Sequence, residues 1–154
     1  MKKIKYYLET TVFNFVFADD DPSKKEITER LFNNWSSLNG EMYISEIVNL
    51  EISRAREDKK MKLAEIIQKY NPILLTLNEE VKELAEKYIS EGVIPEKFRD
   101  DAFHIAIAVV SDLDVIVSWN LEHIVKLKTK LAVEGISRSL GYKMIEIVTP
   151  EEIL

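Results

Sequence analysis

Short apolar runs alternate along the chain with longer stretches in which apolar residues recur every three or four positions. Residues 3–8, with Ile4, Tyr6, Tyr7 and Leu8, read as a buried first strand. Thr10 or Thr11 is placed to cap a short helix in which Val12, Phe13, Val16 and Phe17 recur at helical spacing. Residues 19–23 form a loop and cap, after which Ile27, Leu31 and Trp35 mark one face of a longer helix. That helix runs toward Asn39-Gly40, a turn signal ahead of a second strand at residues 42–45. Ser45 is an N-cap candidate for a helix carrying Ile47, Leu50, Glu51 and Arg54, and a charged break leads to another helix over residues 60–70. Asn71-Pro72 ends it. A third strand follows at 73–77, Asn78 caps a helix through Ile89, and residues 92–95 make a loop. Asp100 or Asp101 opens a very apolar helix through Val110. Residues 115–117 form a fourth strand, 121–127 are helical, and 143–148 form a fifth strand.

Short strands separated by helices over the whole length predict a mainly parallel α/β sheet of about five strands, covered on both faces. In such a sheet the carboxyl ends of the strands share one edge, and ligands bind there. Glu9, Glu51, Asp101 and Asn120 each sit at or just past a strongly apolar segment, so that edge is where they would meet. A cluster of carboxylates is costly unless a hard cation neutralises it, and oxygen ligands suit Mg2+ or Mn2+. A metal-dependent phosphodiester enzyme is the leading expectation.

Composition narrows the choice. The 154 residues, 46% hydrophobic, suffice for one well-buried core and are too few for two ordinary domains, so residues 1–154 read as one domain. Charge interrupts every apolar run well before the roughly 20 residues needed to span a bilayer. Met1-Lys2-Lys3 resembles the start of a signal peptide, but the next stretch carries Lys5 and Glu9 and alternates like a strand, which assigns it to the fold. The absence of cysteine excludes disulfides, thiol nucleophiles and zinc-thiolate sites, and fits a reducing, cytoplasmic setting. A net charge of −6 argues against a generic nucleic-acid coat. It leaves room for a nuclease, because a metal held by carboxylates attracts phosphate locally. Arg54, Arg56, Lys59, Lys60 and Lys62 form a basic segment near Glu51, either a solvated helix face or a binding patch. The four glycines form neither a G-x-G-x-x-G nor a Walker loop, and no G-x-S-x-G elbow is present.

Each candidate residue has two readings. Glu9 follows Leu8 where the first strand ends, as a pocket acid or a solvated strand-end acid. Glu51 shares a helix with apolar neighbours and is a site residue or a surface acid. Asp101 lies in the first turn of a helix that is otherwise nearly all apolar, and such a helix is buried. It needs a partner there, or it caps the helix and interacts with its dipole at about 0.3–1 kcal/mol; Asp100 is available for the second task. Asn120 offers an amide oxygen to a hard metal or serves as a cap. His104, three residues after Asp101, reads as a core or supporting histidine, and His123 as support for its loop.

Four segments in order, Tyr7-Leu8-Glu9-Thr10-Thr11-Val12, Ser45 through Glu51-Ile52, Asp101-Ala102-Phe103-His104-Ile105-Ala106 and Val117-Ser118-Trp119-Asn120-Leu121-Glu122-His123-Ile124, resemble the PIN domain of VapC-type toxin ribonucleases. The resemblance implies a three-layer α/β/α sandwich and an Mg2+- or Mn2+-dependent ribonuclease. Glu9, Glu51 and Asp101 would be its metal ligands and Asn120 a fourth site residue, with Thr11, Ser118 and His104 in support. Glu9 is one methylene longer than the usual Asp of the first motif, and Asn120 stands where many members carry a fourth Asp, after Ser118 at the usual Ser/Thr position. The resemblance further implies an RNA substrate, a homodimer and a cognate antitoxin protein; Phe32, Trp35 and Met61, apolar on otherwise charged helices, are either contact residues or simply core. The competing expectation is a catalytically weak or inactive PIN-like module that binds RNA or a protein partner.

Overall fold

The computed structural model describes residues 2–154. Five strands form one sheet in the order β3-β2-β1-β4-β5. They are β1 (Ile4–Leu8), β2 (Gly40–Ser45), β3 (Ile73–Leu75), β4 (Val115–Val117) and β5 (Glu146–Val148), and every neighbouring pair is parallel. β1 is central, with Tyr7 opposite Tyr43 of β2 on one side and Ile116 of β4 on the other. The chain steps outward from β1 to β2 to β3, then crosses back to place β4 on the far side of β1. That reversal makes a switch point between β1 and β4, the position in such sheets where a crevice opens at the carboxyl ends.

The helices are α1 (Thr10–Asn14), α2 (Pro22–Asn33), α3 (Glu46–Ser53), α4 (Glu57–Tyr70), α5 (Glu79–Ser90), α6 (Arg99–Val110) and α7 (Leu127–Leu140). Right-handed crossovers around the reversal put α2 and α4 on one face and α5, α6 and α7 on the other. Successive strand residues point to opposite faces. Tyr6 accordingly meets Trp35, just beyond α2, edge-on at 5.4 Å, whereas Tyr7 reaches His104 of α6. α6 buries Ala102 and every residue from His104 to Val109, as its apolar composition requires. This is the three-layer PIN-like α/β/α architecture. Among the described residues, no helix is long and apolar enough to cross a membrane.

The caps at Ser45 and Asn78 form as expected, accepting the N–H groups of Ile47 and Val81. Asn71, at φ 45°, turns the chain out of α4 before Pro72. Other boundaries differ. α2 ends at Asn33, so Trp35 lies in a separate turn of 3₁₀ helix. Neither Asp100 nor Asp101 is the N-cap of α6; both fall in its first turn, and Asp100 faces Arg54 at 3.0 Å. Residues 121–126 are turns rather than helix, and the helix of this region is α7, which ends at Gly141 with φ 82°. The carbonyl of Asn120 accepts the N–H groups of both Ile124 and Val125, which closes a tight loop where a helix was expected. α7 escapes notice because its buried residues are Thr129, Val133, Ile136 and Ser137, half of them polar, while Leu127, Leu131 and Leu140 are exposed.

Gly40 opens β2 beside Tyr6. A Cβ at this position would lie 2.5 Å from Cε2 and 2.7 Å from Cδ2 of the Tyr6 ring. The ring is buried against Trp35 and has little room to retreat. Gly40→Ala is therefore expected to destabilise the fold by about 1–3 kcal/mol, the usual cost of overpacking. Denaturant unfolding checks this, and an unchanged midpoint would mean that Tyr6 shifts freely.

Candidate metal centre

Glu9 directly follows β1, and its N–H still donates to the Val117 carbonyl at 3.0 Å, so the ladder with β4 fixes its backbone. The residue is only 2% exposed. Oε1 accepts from Thr11 Oγ1 at 2.5 Å and from Ser118 Oγ at 2.6 Å. Each of those hydroxyls also accepts a backbone N–H, from Trp119 and Asn120 respectively, both at 2.9 Å. Their single protons are thereby directed onto Glu9. The Trp119 indole N–H in turn donates to Thr28 of α2 at 2.8 Å, tying this end of β4 to the opposite layer.

Glu51 reaches the same place from α3. Its Oε1 accepts from Thr10 Oγ1 at 2.7 Å and from His104 Nε2 at 2.5 Å. His104 is fully buried, with Nδ1 2.6 Å from the Tyr7 hydroxyl, which lies 2.7 Å from Ser45 Oγ. His104 Nε2 is also 4.0 Å from Glu9 Oε2. Glu9, Glu51 and His104 each offer one ligand atom, and these atoms all lie within 4.8 Å of one another. All the hydrogen bonds to the two acids go to Oε1, so Oε2 of each has no hydrogen-bond donor among the described residues. Two anionic groups so close together, each with an unpartnered oxygen, suit a hard divalent cation.

Asp101 lies outside this group. In the first turn of α6, its Oδ2 accepts from His123 Nδ1 at 3.1 Å. Asn120 uses its Oδ1 to accept the His123 N–H at 3.0 Å and thus caps the turn at 121–126. The structure therefore brings Glu9, Glu51, Thr11, Ser118 and His104 into one cluster and sets Asp101 beside Asn120 and His123 in an adjoining one. Thr10 also takes part, as do Tyr7 and Ser45, whose roles at the site sequence reasoning missed. A tyrosine at the centre of a buried strand was the available signal, since its hydroxyl needs a partner.

Environment separates the ionisable groups. Burial raises Glu9, even though His104, Ser118 and Thr11 pull it down. Burial also raises Asp101 against the opposing effects of Asn120, His104 and His123. For Glu51 burial acts upward, but the hydrogen bond and charge of His104, with Thr10 and Arg54, prevail and hold it below the usual range. For His104 burial acts downward, yet the hydrogen bond to Glu51 and the charges of Glu9, Glu51 and Asp101 leave it raised. Beside the two glutamates is a cleft of about 300 Å³ whose lining includes Thr10, Asn14, Arg54 and Lys59.

No protein-family model and no curated protein matches the chain. Its fold is similar to that in the crystal structure of VapBC2 from Rickettsia felis bound to a DNA fragment from their promoter. The match has a TM-score of 0.56 and 15% identity, and covers 95% of this chain and 98% of that one. At that identity the likeness is one of fold, and it agrees with the PIN-like arrangement of the sheet.

Two predictions follow from this geometry. Glu9, Asp101 and His104 are all raised, so the stability each confers is lost as pH rises through its folded value; Glu51, being lowered, acts oppositely and only in acid. A cation held by Glu9 binds its deprotonated form and displaces the proton, and its charge also favours the deprotonated form of Asp101 nearby. The increase in melting temperature produced by Mn2+ should therefore grow as pH rises through the raised range of Glu9 and Asp101. A gain independent of pH would separate the cation from these groups. Asn120→Asp keeps the cap through one oxygen but places the other near Asp101. The metal-free protein should melt lower and recover in Mn2+, whereas unchanged melting in both conditions would make Asn120 a cap alone.

Proposed function

We propose that this protein is a ribonuclease of the PIN type, dependent on Mg2+ or Mn2+, that hydrolyses RNA phosphodiester bonds. The observation that carries the reading is the pair of buried Glu9 and half-buried Glu51, brought from different elements to the switch-point edge of a PIN-like sheet, each with one oxygen lacking a donor. When bound, a divalent cation supplies polarisation of a phosphoryl oxygen and lowers the pKa of a water molecule. Glu9 and Glu51 would hold it, with Asp101 adding charge from the adjoining cluster. Thr11 and Ser118 orient Glu9, and Thr10 orients Glu51. Of the basic segment noted in the sequence, Arg54 and Lys59 line the cleft and would meet substrate phosphates.

A second reading, a module that binds RNA or a partner without turnover, is favoured by one observation. Asn120 supplies no charge, and Asp101 is occupied by His123. Cleavage of a mixed RNA pool separates the two. The ribonuclease reading expects cleavage that Mn2+ supports, chelator abolishes and Glu9→Gln or Asp101→Asn reduces to background. Binding without cleavage at any metal concentration would select the second reading. Lys59→Ala should weaken RNA binding and reduce the salt slope by about 0.7 for single-stranded RNA. An unchanged slope would remove Lys59 from the phosphate path.

Action as the toxin of a type II toxin-antitoxin pair is supported by the likeness to VapBC2. An antitoxin would cover Glu9 and Glu51 with a basic side chain, and the toxin would form a homodimer. Of the three contact candidates from the sequence, Phe32 is buried, Trp35 is partly buried against Tyr6, and Met61, 61% exposed, is the most open to a partner. Co-purification with the product of an adjacent gene, and a dimer by light scattering, are the expected results.

A further inference from the structure

We propose that His104 is a positioning residue that clamps Glu51 through Nε2–H, not a ligand of the cation, and that Tyr7 and Ser45 hold its ring in that role. The inference rests on reading Glu9 and Glu51 as a cation site only for its metal-binding arm.

The argument is a count of protons in an enclosed space. Ser45 and His104 are wholly buried, as is Tyr7. Ser45 Oγ accepts the Ile47 N–H at 3.2 Å and has one proton of its own, for which the Tyr7 hydroxyl at 2.7 Å is the partner. Tyr7 has one proton and two neighbours, Ser45 Oγ and His104 Nδ1. With neutral His104 two arrangements are open. In the first, Ser45 donates to Tyr7, Tyr7 donates to Nδ1, and Nε2–H donates to Glu51 Oε1; each proton has an acceptor. In the second, Nδ1–H donates to Tyr7 and Tyr7 to Ser45. That order strands the Ser45 proton and sets the lone pair of Nε2 against Glu51 Oε1 at 2.5 Å. Buried donors left without acceptors are costly, and two facing lone pairs repel. The first arrangement prevails.

Nε2 therefore carries a proton and has no lone pair for a metal. Its bond goes to the oxygen of Glu51 that Thr10 also holds, which leaves Oε2 without a hydrogen-bond donor among the described residues. The support is a closed circuit. Ser45 caps α3, Glu51 stands on α3, and the hydrogen bonds from Ser45 return to Glu51 through β1 and α6. An outer partner of this kind fixes both the tautomer and the orientation of what it holds.

Nitrogen-15 NMR of the metal-free protein should find His104 protonated at Nε2, and a proton on Nδ1 alone would overturn the proposal. His104→Gln retains an N–H donor near the position of Nε2 but is a poor metal ligand. Its Mn2+ affinity by calorimetry should stay within about threefold of wild type, while His104→Ala loses about 10–100-fold. Equal losses in the two variants would make His104 a ligand and sink the clamp. Tyr7→Phe keeps the ring shape and removes one anchor; Mn2+ affinity should fall about tenfold and the Nε2–H resonance should exchange faster with water. Neither change occurring would remove Tyr7 from the role. If a variant fails to fold, the wild-type tautomer still decides the central point. If wild type binds no Mn2+ at all, the ribonuclease reading fails, while the NMR result still decides whether His104 clamps Glu51.

Discussion

A carboxylate at the end of the central strand, shut away from water, is the constraint on which this structure turns. An unpaired buried charge is among the costliest features a fold can contain. Glu9 meets that cost locally with two hydroxyls whose protons are aimed by main-chain donors, and regionally with the imidazole of His104. Those partners come from the segment after β1, the end of β4 and the middle of α6. The parallel register of β1 with β4, the turn at Thr11 and the depth at which α6 lies on the sheet must all agree to within tenths of an ångström. A scaffold of three packed layers provides such rigidity, and a mobile loop would not.

Much of this architecture was legible because parallel sheets write a simple pattern. The strand cores, the caps at Ser45 and Asn78 and the apolar α6 follow from periodicity and cap chemistry alone. What remained hidden was hidden for identifiable reasons. α7 buries serine and threonine and exposes leucine, so its stripe is scarcely apolar. The turn at 121–126 depends on a side chain, Asn120, bending the chain where helical propensity points the other way. At the site, Glu9, Thr11 and Ser118 could be placed together because all three lie next to strand ends. The engagement of Asp101 with His123 could not, since it depends on the direction of a side chain at a helix start. Tyr7 looked like core in the sequence and is core by burial, and its hydroxyl acquires a role only through Ser45 and His104.

A fold match spanning nearly the whole chain at 15% identity illustrates how loosely architecture constrains sequence. Layered α/β folds need apolar positions at the right periods and turns of the right chemistry, and many sequences satisfy both. The chemistry of a site tolerates far less. Function therefore has to be argued from the carboxylates and their partners rather than from the sheet. In this chain the sheet edge carries a glutamate at a strand end, the amide of Asn120 bonded to the turn that follows it, and two histidines bonded to carboxylates.

Ser45 gives that balance a dynamic dimension. One oxygen ends a strand, starts the helix that carries Glu51 and anchors the tyrosine beneath His104. Helix starts are where fraying begins, and local openings there occur far more often than global unfolding. Each opening of the first turn of α3 would free Ser45 from Ile47 and loosen the tyrosine and the imidazole that bonds Glu51 in the same event. Assembly of the carboxylate pair is thus coupled to the nucleation of one short helix, and amide exchange at Ile47 would serve as a clock for how often the centre comes apart.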